Sequence, residues 1–462
     1  MVFGLATSYH PGLMPKKPDG LVTEQSESTA VSYDAVIIGA GIIGCAIAYE
    51  LSKRGLRTLN VDRLPAAGYG STSASCAVIR VHYSTLDGTA FAYDGYFAWK
   101  DWARHLGAEN STELARFRET GCLVMKTEGN EYLEKIIKNT QALGIPFEEW
   151  DRKQIKGSLP VYDLKQFAPA KCMDDPSFGQ PTGGVIDGAV YFPTAGYVTD
   201  PQLATQNLQA AAAARGAEFR FNSRVVEIPV RSGRVRGVTL ADGTTISAPV
   251  VVNVAGPHSS KINALVGAQQ DMKISTRALR QEVAHVPSPE GFDFEKLGLV
   301  VSDNDIGVYC RPESGNHVLA GSEDPACDAH DWVDPDDFTR DFTDQWTAQV
   351  LRLAQRIPEL KIPNQARGVV DLYDVTEDWL PIYDRSAIDG FYMACGTSGN
   401  QFKNAPSAGR LMAALIEYCE SGNDHDARPL QHQLHNIDYV LDTASMSRRR
   451  EINAESSFSV LG

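Results

Sequence analysis

A chain of 462 residues, 43% hydrophobic and 22% charged, is too long for one small core and has the composition of an ordinary globular protein of two or three domains. Its net charge of −15 excludes a nucleic-acid partner, which needs a basic face, and adhesion to an anionic membrane. The eight cysteines are scattered from Cys45 to Cys419 with no C-x-x-C pair, which suits a reducing cytoplasm and offers no zinc site.

Residues 1–32 contain no long apolar run, so neither a secretory signal nor a spanning helix is expected there. Lys16 and Lys17 stand alone, which speaks against a transit peptide. Pro, Gly, Ser and Glu dominate, and the stretch reads as a loose arm.

The organising stretch is YDAVIIGAGIIGCAIAYELSKRGLRTLNVD, Tyr33 to Asp62. Ala35 to Ile38 form a short apolar run with β-branched residues, fit for a buried parallel strand. Gly39, Gly41 and Gly44 follow in the G-x-G-x-x-G positions. Cys45 to Arg54 read as a helix ended by Gly55, and Leu56 to Val61 as a second strand stopping at Asp62. Gly39 permits a tight turn, Gly41 lets backbone approach a pyrophosphate, and Gly44 lets the helix sit close on the sheet. Pyrophosphate would meet the unpaired N–H groups of Ile42, Ile43 and Gly44 at the positive end of the helix, and Asp62 a ribose diol. The unit predicts an adenine dinucleotide without deciding between NAD and FAD.

Next comes RLPAAGYGSTSASCAVIRVHYS. Gly70, Ser71, Thr72, Ser73 and Ser75 make a donor-rich loop suited to a phosphate or a ribityl chain. It runs into Ala77-Val78-Ile79 and then Arg80, and an arginine in an apolar run is expensive to bury unless it meets an anion. Phe91 to Leu106 predict a core-facing aromatic helix. Gly121 to Lys126 read as a strand and Glu131 to Leu143 as an amphipathic helix, while Phe147 to Pro181 resist assignment. Gly183 to Tyr191 predict a strand.

Tyr197 to Arg215 predict a helix started by Asp200-Pro201. Hairpins are expected around Arg231 to Gly233 and at Asp242-Gly243. Ala248 to Ala255 predict a buried strand ending in Gly256-Pro257, a second edge of the nucleotide site. Thr276 to Pro287 and Gly298 to Ala320 alternate like strands, and Asp331 to Ile357 predict a helix. Gly390 to Cys395 read as a strand, followed by a glycine turn into a helix ending near Tyr418. From Ser421 on the chain reads as a polar surface tail. His432 and His435 lack a metal-binding setting, Arg448 to Arg450 read as a solvated charge run, and Cys310 and Cys395 as buried and inert.

Four separated motifs, GAGIIG with Asp62, GSTSASCAVIRVHYS, VVNVAGPHSS, and RGVVDLYDVTEDWLPIYD with GFYMACGTSGNQFKNAP, carry a resemblance. The chain resembles the glycine oxidase, D-amino-acid oxidase and sarcosine oxidase superfamily of FAD enzymes, from about Tyr33 to Tyr418. It is most like the sarcosine oxidase β-subunit and dimethylglycine dehydrogenase branch.

The resemblance implies an α/β fold, α+β overall. A Rossmann-like FAD-binding domain would comprise 33–115, 195–275 and 365–420. A discontinuous antiparallel-sheet substrate domain would comprise 116–194 and 276–364. The implied chemistry is oxidation of the C–N bond of a secondary or tertiary amino acid, N-methyl or cyclic, with hydride passing to flavin N5 and hydrolysis of the imine. Arg80 matches an arginine holding the substrate carboxylate, Tyr83 a nearby active-site tyrosine, and Lys403 a lysine that meets the same carboxylate.

The FAD shell would extend to Arg63, Val226, Ala255 and Gly256, and to Gly396, Gly399, Asn400, Gln401, Phe402 and Lys403. The last turn would place N–H groups near the flavin pyrimidine ring. Two departures bear on the chemistry. Asp371 stands where a relative has the cysteine that links FAD, and GSTSASC lacks the histidine that other relatives use, so noncovalent FAD is expected. Leu319 stands where a relative has a lysine tied to oxygen activation, which leaves oxygen or another electron acceptor open. The alternatives are a D-amino-acid or glycine oxidase acting on a primary amine, or a flavoprotein assembly factor without turnover.

Overall fold

The structure is a computed structural model that describes residues 32–461 apart from 110, 128, 129 and 131. The arm expected over 1–32 lies, but for Ser32, outside the described residues.

Two sheets organise the chain. In the first, Ala35–Ile38 lies parallel between Thr58–Val61 and Val250–Asn253. Glu218–Arg220 extends the sheet beyond Thr58–Val61, and Phe391–Cys395 beyond Val250–Asn253. Ile382–Arg385 closes that edge as the one antiparallel member. All four residues of Ala35–Ile38 are buried, as a parallel strand covered on both faces requires. The helix Ile42–Lys53 runs beside Pro201–Ala213 and Ala405–Glu420, and small residues such as Ala46, Ala48, Ala204 and Ala408 fill the seam in one apolar core.

The second sheet runs in the order Trp332–Val333, Arg277–Pro287, His317–Ser322, Val308–Glu313, Val300–Asp303, Cys122–Met125, Gly188–Phe192, Glu148–Asp151. It is antiparallel except where Val300–Asp303 runs parallel to Cys122–Met125. The strand Gly368–Val375 pairs antiparallel with Arg277–Pro287 over eight positions. This strand falls within the segment 365–420 expected of the FAD-binding domain, yet it belongs to the larger sheet. The helix Asp344–Arg356 covers this sheet with Trp346, Val350 and Leu353.

Several elements differ from the sequence reading, each for a local reason. The aromatic helix begins earlier, at Leu86, because the Thr85 side chain caps it. It breaks at Asp101 before the short helix Trp102–Leu106. The helix expected from Tyr197 begins at Pro201, where the Asp200 carboxylate accepts the Leu203 N–H at 2.8 Å. Gly196–Val198 is instead a strand against Val78–Ile79 and Phe117–Arg118. The helix expected over 331–357 forms only over Asp344–Arg356, capped by Thr343. In the unassigned region, Asp151 and Gln154 form a capping box that starts a helix at Arg152.

The segment after Ser421 is no solvated tail. Gln431–Gln433 pairs with Val440–Asp442, Leu441 and Met446 join the nucleotide-side core, and Arg448 is fully buried. Arg448 binds Asp271, Asp384 and Asp426, and Arg450 binds Asp378 at 2.8 Å. The run Arg448 to Arg450 is therefore mostly an internal clamp rather than a solvated patch. No helix among the described residues is long and apolar enough to cross a membrane.

Candidate active site

A cavity of about 540 Å³ runs between the two sheets, from the glycine turn to the foot of the larger sheet. At the turn, Gly39 has φ +122°, and a Cβ there would meet the Val254 carbonyl at 2.3 Å, so only glycine fits. A Cβ on Gly44 would meet the Gly39 carbonyl at 2.4 Å. Gly41 precedes the first helix turn and supplies no side-chain cap. Ile42 donates its N–H to Thr72 Oγ1 at 3.2 Å, which ties the serine loop to the helix start. First-turn N–H groups have no partner within the helix, and Ile42, Ile43 and Gly44 line the cavity. Asp62 accepts the N–H groups of Ala40 (2.7 Å) and Leu64 (2.8 Å), and burial raises its pKa against those bonds.

Arg63, Gly70, Ser71, Thr72, Ser75, Ala255, Gly256, Gly399, Asn400, Gln401 and Phe402, expected in the FAD shell, are among the residues lining the cavity. Ser73, Val226 and Gly396 are not. Ser73 turns its hydroxyl onto the Gly70 carbonyl at 2.9 Å. Val226 is 40% exposed while Val225 faces inward, because strand neighbours point to opposite faces. Gly396 gives its N–H to the Asp374 carboxylate at 2.7 Å and shapes the turn from behind.

At the far end Arg80 and Lys403 both line the cavity and are both buried. Tyr83 brings them together. The Arg80 guanidinium stands 4.3 Å over its ring and the Lys403 nitrogen 4.9 Å. Lys403 donates to the Tyr83 hydroxyl at 2.9 Å and to the Asn400 carbonyl. Tyr83 donates to that carbonyl at 2.7 Å, and burial pushes its phenol up to about 12. Arg80 donates to the carbonyls of His82 and Val460, which leaves three of its five N–H donors. Neither cation has an acidic ion-pair partner among the described residues. Burial first, and then the Arg80 charge, hold Lys403 well below the usual lysine range. His82, stacked on Phe192 at 4.5 Å, is kept neutral by the same two causes.

The profile of the FAD dependent oxidoreductase family, DAO, matches residues 34–415. The chain belongs to the DAO family of FAD-dependent oxidoreductases. Sarcosine oxidase subunit beta of Rhodobacter capsulatus is 24% identical over 394 residues, covering 83% of this chain and 84% of that protein. Glycine oxidase of Geobacillus kaustophilus is 25% identical over 399 residues, covering 85% and 95%. Among solved structures, L-proline dehydrogenase from P. horikoshii shares the fold at a TM-score of 0.71 and 21% identity, covering 91% of this chain and 97% of that one. The Geobacillus kaustophilus glycine oxidase structure does so at 0.69 and 23%, covering 91% and 100%.

The cavity of this DAO-family member fits FAD. The glycine turn leaves N–H groups free at a helix start for a pyrophosphate, and the serine loop and the Gly399–Phe402 turn line the rest with donors. Asp371 accepts from Ser71 at 3.2 Å and pairs with Arg340 at 3.3 Å. Leu319 is buried against Cys76 and Val283, with no cation at its position. Glu323, Tyr309, Tyr373, Val460 and Leu461 also line the cavity and are not among the residues expected from the sequence. Glu323 follows the apolar run VLAGS as Arg80 follows AVI, but two acids, Glu323 and Asp324, end that run, and it does not say which of them faces the cavity. Val460 and Leu461 carried no signal beyond being apolar near a polar end.

Proposed function

We propose that this FAD-dependent oxidoreductase oxidises the C–N bond of a secondary or tertiary amino acid, N-methyl or cyclic, with FAD held noncovalently. The observation that carries the reading is the pair Arg80 and Lys403. They come from distant parts of the chain, are buried at one cavity wall, and have no acidic ion-pair partner among the described residues. Two desolvated cationic donors are costly unless an anion joins them, and a substrate carboxylate is such an anion. Relatives named as sarcosine oxidase subunit beta and a fold-neighbour named L-proline dehydrogenase support the amine class.

Bound FAD supplies the two-electron acceptor for the hydride leaving the substrate α-carbon or N-methyl carbon. The chain's residues do the positioning. Arg80 and Lys403 fix the carboxylate, and Tyr83 holds the two cations at fixed separation. Val460 and Leu461 add apolar surface to the chamber wall. The imine is hydrolysed by water. The electron acceptor that reoxidises the cofactor is oxygen or a carrier.

The deciding experiment is turnover on a panel of N-methyl amino acids, proline and their primary-amine counterparts, with oxygen and a dye acceptor compared. Preference for secondary or tertiary amines supports the reading. Equal or better turnover of glycine or a D-amino acid replaces it with a primary-amine oxidase.

A further inference from the structure

Five carboxyl groups line the cavity, and four have their charge answered by the protein. Asp62 takes two backbone N–H groups. Asp336 meets Arg63, Lys261 and His258. Asp371 pairs with Arg340, and Asp374 accepts from Gly396 and Thr397. Glu323 differs. It is 3% exposed, its Oε1 accepts the Ser302 hydroxyl at 2.5 Å, and its Oε2 has no partner. Its acidic neighbour Asp303 is held by Arg356 at 2.7 Å, and among the described residues Glu323 has no ion-pair partner, only the field of Arg80. A buried oxygen without a partner is expensive, and such an atom in a ligand cavity marks a place for a donor from outside.

The same end of the cavity thus holds two cations without acids and one acid without a cation. A zwitterion matches that pattern. We propose that Glu323 recognises the cationic nitrogen of the substrate, so that the chamber selects amino acids bearing a protonated or quaternary amine over anions of the same shape. This rests on the reading of Arg80 and Lys403 as the carboxylate clamp. Burial pushes the Glu323 carboxyl up to about 8, so the empty site is best probed above that value, where the carboxylate is ionised.

The test uses the FAD-loaded full chain at a pH of about 9, a unit above that carboxyl, and two probes that cannot be oxidised by the same route. Trimethylglycine carries a permanent cation and a carboxylate. Methylthioacetate carries the carboxylate and a neutral thioether. Binding is read from perturbation of flavin absorbance. The native protein is expected to prefer trimethylglycine. Glu323→Gln, isosteric and folded as judged by FAD content and melting temperature, is expected to lose tenfold or more affinity for trimethylglycine and to bind methylthioacetate no more weakly than the native protein does. Glu323→Asp should recover part of the loss. Equal binding of trimethylglycine by native and Glu323→Gln proteins would overturn the assignment while leaving the clamp intact. Failure of the native protein to bind methylthioacetate at a pH of about 9 and also at a pH of about 6, where protonation of Lys403 is favoured, would overturn the clamp, and the role of Glu323 with it.

Discussion

Lys403 Nζ donates to the hydroxyl of Tyr83 across 2.9 Å, under a ring that also carries the Arg80 guanidinium at 4.3 Å. One phenol spaces two cationic groups that would otherwise repel, and its own hydroxyl is anchored on the Asn400 carbonyl. The arrangement costs stability in the empty protein and is offset when an anion enters.

The first prediction concerns that clamp. Arg80→Met and Lys403→Met should each lower kcat/KM by a factor of about 10–1000, on about 1.5–4 kcal/mol for a lost charge-assisted contact in the transition state. FAD content should stay near normal. The double variant should lose less than the sum, since both act on one carboxylate. A substrate analogue without its carboxylate should be poor for the native enzyme and little affected by either change. Near-normal kcat/KM in either single variant would remove that residue from the clamp.

The second concerns pH. Burial and Arg80 depress the Lys403 pKa in the free protein, and a bound carboxylate must raise it again. Binding of a carboxylate inhibitor should therefore take up a proton. The sign follows: the anion prefers protonated Lys403, so affinity is highest at low pH. It falls as pH rises through the window between the depressed free value and the higher bound value. Inhibitor Kd against pH, in native and Lys403→Met proteins, checks this. Any slope that persists in Lys403→Met belongs to Glu323, whose ionisation also disfavours an anion. An unchanged profile would mean that Lys403 does not titrate with binding.

The third is noncovalent FAD. Asp371 stands where the family resemblance implies the linking cysteine of a relative, and its carboxylate is already engaged by Ser71 and Arg340. The cavity thiols Cys76 and Cys122 are pushed up by burial, Cys122 to about 12, and a thiol that stays protonated is a poor nucleophile. Acid precipitation should leave the yellow colour in the supernatant. Colour in the pellet would show a covalent link.

The fourth concerns Asp62, which lines the cavity and also accepts the Ala40 and Leu64 N–H groups. Asp62→Ala should weaken FAD by about 1–3 kcal/mol, roughly 5- to 150-fold in Kd. Titration of apoprotein with FAD measures it. An unchanged Kd would confine Asp62 to holding the turn.

What the sequence made legible was local or motif-borne. The strand Ala35–Ile38, its glycines and Asp62 lie within thirty residues of one another, and short-range spacing carries their geometry. Arg80 and Lys403 were legible through the family motifs around them. Val226 was named in place of Val225 because RVVEI presents two valines in a three-residue strand, too short for alternation to fix the face. Glu323 stands beside Asp324, and nothing in the residues alone tells which of the two acids turns into the cavity. The C-terminal segment misled most, since a buried charge reads in a sequence like a solvated one until its partners are known.

Arg448 makes that last point testable. It is fully buried, and its guanidinium donates to Asp271 at 2.6 Å, Asp426 at 2.8 Å and Asp384 at 3.0 Å. These acids come from three separate parts of the chain, so the arginine staples the C-terminal segment to the nucleotide-side sheet through Asp384, on the strand Ile382–Arg385. Removing one partner of a buried ionic cluster leaves the others uncompensated, which typically costs about 3–5 kcal/mol. Arg448→Met should therefore lower stability by that order in denaturant unfolding of the FAD-loaded protein. Arg448→Lys, which keeps the charge but loses the planar fork, should fall between. Arg449→Met, at a side chain 46% exposed, should cost well under half as much, as exposed pairs contribute about 0–1 kcal/mol. A loss at Arg448 no larger than at Arg449 would mean that the segment after Ser421 is held by its apolar residues and not by this cluster.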